Sequence, residues 1–203
     1  MSPLFSTAYF PPVAYMAALI KHPTVLIEAK ETFPKQTYRN RMEIMTAAGK
    51  RTLTVPVLRN NHSRTEEVGI DYKERWNIIH LRTITAAYSA SPYYQYYKDE
   101  LEAILTRHYD SLLELNATAL NWLLKRLKTS VTTALTTDYQ PSTDSPNDYR
   151  NTFSPKKPMK DSMFNPYYQV FSDRLPFISN LSTLDLLMNL GPEARDYLIT
   201  ISL

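Results

Sequence analysis

Seven consecutive residues, Lys35, Gln36, Thr37, Tyr38, Arg39, Asn40 and Arg41, form the densest polar group in the chain. Three cations with amide and hydroxyl donors between them could hold a phosphate or a carboxylate, since arginine offers a planar fork and lysine a point charge. The same run also fits a solvated surface turn, the commonest fate of clustered charge. A second candidate is His80. Trp76, His80, Ile84 and Tyr88 recur every four residues and share one face of a helix. A histidine titrates near neutrality and could serve there as a general base, but one between Trp76 and Ile84 is more often a packed, hydrogen-bonded core residue. Tyr93, Tyr94, Tyr96 and Tyr97 could stack on sugars or bases, or form a boundary layer of the core.

Other chemistries are excluded. The glycines, Gly49, Gly69 and Gly191, are widely separated, so neither a phosphate-binding glycine loop nor a nucleophile elbow is present. His22, His62, His80 and His108 show no paired spacing for a metal, and no metal site is expected. The sequence names no cofactor. A net charge of +3 is too small for the dense basic stripe of a nucleic-acid binder, so no nucleic-acid partner is expected. The first twenty residues are uncharged, but Pro3, Pro11 and Pro12 interrupt them and no basic stretch precedes them; they are expected to be buried core, with no membrane span. With no cysteine there is no disulfide framework, which fits a cytoplasmic protein.

The elements that must position the candidates follow from pattern. Residues 13–21 read as a helix and TVLIE at 24–28 as a strand. Segments 40–46 and 51–57 read as a hairpin about Ala47-Ala48-Gly49-Lys50, with Met42 and Ile44 on one face and Arg41 and Glu43 on the other. Asp71 and Glu74 have capping-box spacing for a helix over 71–88. Ser91-Pro92 opens another over 93–108, and a third spans 111–128 behind Asp110 with a leucine stripe. Residues 129–166 lose apolar periodicity and read as a long polar loop carrying Asp148, Tyr149, Arg150, Lys156 and Lys157. Ser182 and Asp185 cap a short final helix that Gly191-Pro192 stops. The expected fold is α+β: one helix-rich domain over 1–203 with a small antiparallel sheet, the N-terminal hairpin, packed by helices. The loop is expected to fold over that sheet, bringing Arg150, Lys156 and Lys157 to Lys35, Arg39 and Arg41, with an anion or the carboxylates Glu28, Glu31 and Asp148 between them.

The ordered segments FPKQTYRNR (33–41), LTVPV (53–57), Trp76 with His80, SPYY (91–94), DYR, PKK, YQVF (168–171) and NLSTLDLLMNLGPE (180–193) resemble the WbqC-like family over nearly the whole chain. Where family members tend to carry Gly-Phe before the last block, this chain has Pro176-Phe177. The resemblance implies a bacterial protein of surface polysaccharide biosynthesis. It implies a transferase moving a small aminoacyl or acyl group, such as glycine, onto a sugar or nucleotide sugar, or else a noncatalytic ligand-binding or assembly module of envelope biogenesis. On the transferase reading His80 is the general base. The ligand, a small anion or a nucleotide sugar, is then held by Lys35, Gln36, Tyr38, Arg39, Asn40, Arg41, Arg150, Lys156, Lys157, Gln169 and Asn180.

Overall fold

The computed structural model describes residues 2–141 and 145–203. Along the chain it runs through β1 (Leu4–Ser6), α1 (Val13–Leu19), β2 (Thr24–Glu28), β3 (Arg41–Thr46), β4 (Gly49–Thr54), β5 (Val57–Leu58) and β6 (Gly69–Ile70). Then come α2 (Trp76–Tyr88), α3 (Tyr94–Thr106), α4 (Leu112–Arg126), β7 (Thr132–Leu135), α5 (Thr183–Leu190) and α6 (Ala194–Thr200). The fold is mixed α and β, and among the described residues no helix is long and apolar enough to cross a membrane.

The three-stranded sheet is parallel, in the order β1-β2-β7, with Ser6 opposite Glu28 and Ile27 opposite Leu135. Residues 147–149 extend it beyond β1, since Leu4 N donates to Asn147 O and Tyr149 N donates to Leu4 O. This corrects the expectation of an antiparallel organising sheet. TVLIE announces a strand but not its partners: β1 is three residues long, too short to show a period, and β7 lies in a threonine-rich stretch that reads as loop. A parallel pair needs a crossover, and α1 supplies the one between β1 and β2. All seven α1 residues are buried, as a helix apolar on every side must be.

The antiparallel pair β3–β4 stands apart from that sheet, with Met42 opposite Leu53 and Thr46 opposite Gly49. Gly49 has φ +94°, which leaves Ala47 and Ala48 as the turn. Helix α2 begins later than the Asp71–Glu74 spacing suggests, because Asp71 spends its carboxylate on Lys73 N in a local turn. Helix α4 is capped by Ser111, which accepts from Glu114 N at 3.1 Å, and not by Asp110. Ser182 caps α5 through Leu184 N and also donates to Phe10 O, while Thr183 donates to Pro11 O. The C-terminal block is thereby tied to the turn between β1 and α1.

The 129–166 stretch is not one loop. It contributes β7, the segment beside β1 and a short turn of helix at Asp161–Met163, apart from residues 142–144, which lie outside the described residues.

Candidate functional site

The carboxyl ends of the parallel strands collect charge from three remote segments. Glu28, at the end of β2, is fully buried. Its carboxylate accepts from Thr136 Oγ1 and Lys30 N, both at 2.8 Å, and from Arg150 Nη1 at 3.0 Å. Arg150 also forks onto Asp148, Nε to Oδ1 at 2.9 Å and Nη2 to Oδ2 at 2.6 Å, and donates to the carbonyls of Gln140 and Pro141. All five of its N–H groups are thus engaged. Arg39 is likewise buried, holding Glu31 at 2.7 Å through Nε and reaching Arg150 O at 3.5 Å through Nη2. Burial raises the Glu31 carboxyl, with Arg39 opposing that shift. Three carboxylates face two guanidinium groups, so these arginines meet internal partners.

Beyond this cluster a cleft of about 240 Å³ opens between the β3–β4 hairpin, residues 155–161 and residues 177–180. Glu43 projects into it from β3, accepting from Tyr38 OH at 3.3 Å and paired with Lys50 Nζ at 3.2 Å. On the opposite wall the Ser179 hydroxyl donates to Asp161. Phe177, Met159, Pro155 and Pro158 give apolar surface. Asn180 has φ +52° and turns its Oδ1 onto Ala14 N at 2.9 Å, so the residue that lines the cleft is also latched to α1. Lys156, Lys157 and Lys160 alternate with the lining residues of the third wall; all three are exposed, and among the described residues none is paired with a carboxylate.

The cleft wall is set from within by Asp185, which is fully buried and accepts from Tyr88 OH at 2.9 Å, from Tyr167 OH and from Gln169 Nε2 at 2.9 Å. Gln169 in turn accepts from Ile178 N and donates to Ile178 O, both at 3.0 Å, fixing the residue before Ser179. Burial raises the Asp185 carboxyl, opposed by its three donors.

His80 lies apart from the cleft. It is 3% exposed, against Tyr9 and Trp76, and Nδ1 is 3.0 Å from Tyr9 OH. Burial pushes its imidazole down to about 4, a hydrogen bond with the Thr54 backbone opposing and Arg51 assisting. The imidazole is therefore neutral at pH 7, and the phenol, itself raised by burial, donates to it.

Of the residues singled out in the sequence, Tyr38 and Asn180 line the cleft, with Lys156 and Lys157 beside it. Arg39 and Arg150 meet in the buried ion cluster, and Gln169 supports the wall. Asn40 is buried and donates to Val55 O, Arg41 has a buried Nε that meets no acceptor among the described residues, and Lys35 and Gln36 are exposed on the turn, Gln36 at φ +59°. Sequence reasoning missed Glu43, Lys50, Asp161 and Ser179 as one group. The alternation of Glu43 with Met42 and Ile44 was the available signal. Asp185 reads as a cap in sequence because Ser182 precedes it at capping distance, yet its side chain enters the core.

A protein-family model described as the WbqC-like protein family matches residues 7–153. No curated protein and no solved structure matches. The matched span is well over half of the chain, which therefore belongs to that family.

Proposed function

For this member of the WbqC-like family, we propose a part in bacterial surface polysaccharide biosynthesis: the cleft binds a phosphate-bearing sugar of the nucleotide-sugar class, onto which a small aminoacyl or acyl group is moved. The observation that carries this reading is that two carboxylates, Glu43 and Asp161, line one cleft together with apolar side chains, and that its lining segment 155–161 also carries Lys156, Lys157 and Lys160, all exposed and, among the described residues, without a carboxylate partner. Carboxylates and the Ser179 hydroxyl match sugar hydroxyls, and Phe177 and Met159 suit the C–H face of a ring. The lysines supply point charge for phosphate. At about 240 Å³ the cleft is smaller than the roughly 300–1,000 Å³ of drug-sized sites, so it takes one sugar residue and leaves the phosphate at the rim. Asp161, whose carboxylate accepts from Ser179 and, among the described residues, from no other side chain, is on this reading the group that accepts a proton from an acceptor hydroxyl or amine.

Titration calorimetry with UDP-glucose, glucose 1-phosphate and glucose tests the reading. The phosphate-bearing probes should bind at least about tenfold more tightly than glucose, a difference that about 1.4 kcal/mol supplies. The K156A/K157A/K160A variant should lose that difference. Equal affinity for glucose and glucose 1-phosphate would sink it. A second reading, a noncatalytic binding module, draws on the Lys50 and Tyr38 contacts that already engage Glu43. On that reading Asp161→Asn leaves every cellular function of the protein intact while the lysine variant does not.

A further inference from the structure

A groove of about 400 Å³ lies between the turn of the β3–β4 hairpin and the C-terminal half of α2. Successive residues of a strand point to opposite faces, so Lys50 serves the cleft on one side of the hairpin and Arg51 serves this groove on the other. Alanines and threonines make up the rest of the lining, apart from Arg82 of α2. The Thr46 and Thr83 hydroxyls donate to Gly49 O and Ile79 O, which leaves the two guanidinium groups as the side-chain donors.

The charge around the groove is one-sided. Residues 41–54 and 75–88 carry Arg41, Lys50, Arg51, Arg75 and Arg82 against Glu43 alone, a surplus of four positive charges where the whole chain has a net +3. Glu43 is spent on the cleft side, paired with Lys50. No acid lines the groove, and among the described residues neither Arg51 nor Arg82 pairs with a carboxylate. Arg39 and Arg150 meet internal carboxylates; these two arginines do not. The charge of Arg51 is also felt at α2, where it opposes protonation of His80. A recess lined by one sign of charge concentrates the opposite sign, and the volume falls within the roughly 300–1,000 Å³ of small-molecule sites. Each guanidinium offers a planar fork to two phosphate oxygens.

We infer that this groove is a second anion site, which takes a small diphosphate-bearing molecule with one phosphate on Arg51 and the other on Arg82. It rests on its own residues and not on the reading of the cleft.

The probes are pyrophosphate and inorganic phosphate, added to the K156A/K157A/K160A chain so that the rim of the cleft contributes no phosphate contact. About 0.15 M salt screens exposed charges more than ~8 Å apart, which leaves direct contacts to be measured. In NMR spectra pyrophosphate should shift the backbone amides of Ala48 and Ala86 saturably, and phosphate should bind at least tenfold more weakly. Arg51→Gln and Arg82→Gln alter exposed side chains, so both should keep their melting temperatures, and each should weaken pyrophosphate at least tenfold. Arg75→Gln removes an equal charge beside α2 but outside the groove, and should change the affinity less than twofold. Shifts that do not saturate, or a loss in Arg75→Gln equal to that in Arg82→Gln, would mean attraction by diffuse charge and overturn the site. Equal affinity for phosphate and pyrophosphate overturns the two-arginine arrangement. None of these results changes with the outcome of calorimetry on the cleft.

Discussion

Arg150 and Glu28 meet at 3.0 Å inside the protein although 122 residues separate them, and neither side chain is appreciably exposed. That pair, with Asp148, closes the segment at 147–149 onto the parallel sheet. A guanidinium with all its N–H groups engaged acts as a tie between loops.

Removing Arg150 should therefore damage stability. In Arg150→Ala the Glu28 carboxylate stays buried without its cation, a situation that costs about 3–5 kcal/mol. Urea unfolding should show that loss, and Glu28→Gln in the same chain should recover part of it, since the amide carries no charge to desolvate. A loss under about 1 kcal/mol for Arg150→Ala would place the pair in solvent-like surroundings.

Stability should fall as the solution is acidified, through His80. Its folded value of about 4 lies below the ordinary 6.5, so the unfolded chain binds the proton more tightly. The contribution is complete above about pH 6.5 and is lost as pH falls toward 4, on the order of 3 kcal/mol in all. Asp185 and Glu31, whose carboxyls are raised, act with the opposite sign. His80→Gln keeps an acceptor for Tyr9 and removes the titration. Unfolding free energies at pH 7 and pH 5 should differ less in that variant than in the unaltered chain.

What could be read from the sequence was local. The strand at Thr24–Glu28, the body of helix α4 and the Ser182 cap depend on periods and caps a few residues long, which short windows report, although the cap of α4 proved to be Ser111 where Asp110 was expected. The parallel sheet was hidden because its pairings join residues far apart and two of its strands are short. The cleft was half legible: the Tyr38 region and Asn180 stand out as motifs, whereas Glu43 and Asp161 are ordinary surface acids until the chain brings them to one opening. The clustered cations misdirect for a related reason. Arg39 and Arg150 look available when read alone, and only the fold supplies the buried carboxylates that engage them.

Two glycines with positive φ should respond differently to a methyl group. At Gly49, φ +94°, a Cβ meets nothing within 4 Å among the described residues, so Gly49→Ala costs backbone strain, about 1–2 kcal/mol. At Gly191, φ +53°, the Cβ would fall 2.5 Å from the Tyr93 ring, so Gly191→Ala adds a clash to the strain. Thermal unfolding should rank Gly191→Ala clearly below Gly49→Ala. Restoration of Gly191→Ala by Tyr93→Ala, to within the strain alone, would identify the ring as the cause.

Asp185 should govern the order of the cleft wall more than its distance from solvent suggests. Its carboxylate accepts from three side-chain donors, and one of them, Gln169, holds both backbone groups of Ile178. In Asp185→Ala those donors lose their acceptor inside the core, each at about 1–3 kcal/mol before relaxation. Asp185→Asn keeps an oxygen, and the Tyr88 and Tyr167 hydroxyls can rotate to accept from the new amide, so its loss should be smaller. Hydrogen exchange separates this account from a merely local one. The Ile178 amide, which donates to Gln169 Oε1, should exchange faster in both variants, and more so in Asp185→Ala. The Leu53 amide, inside the β3–β4 hairpin, should change only by the global loss of stability. If Ile178 kept its protection in Asp185→Ala, the wall would be held by its own packing, and Asp185 would have no part in shaping the cleft.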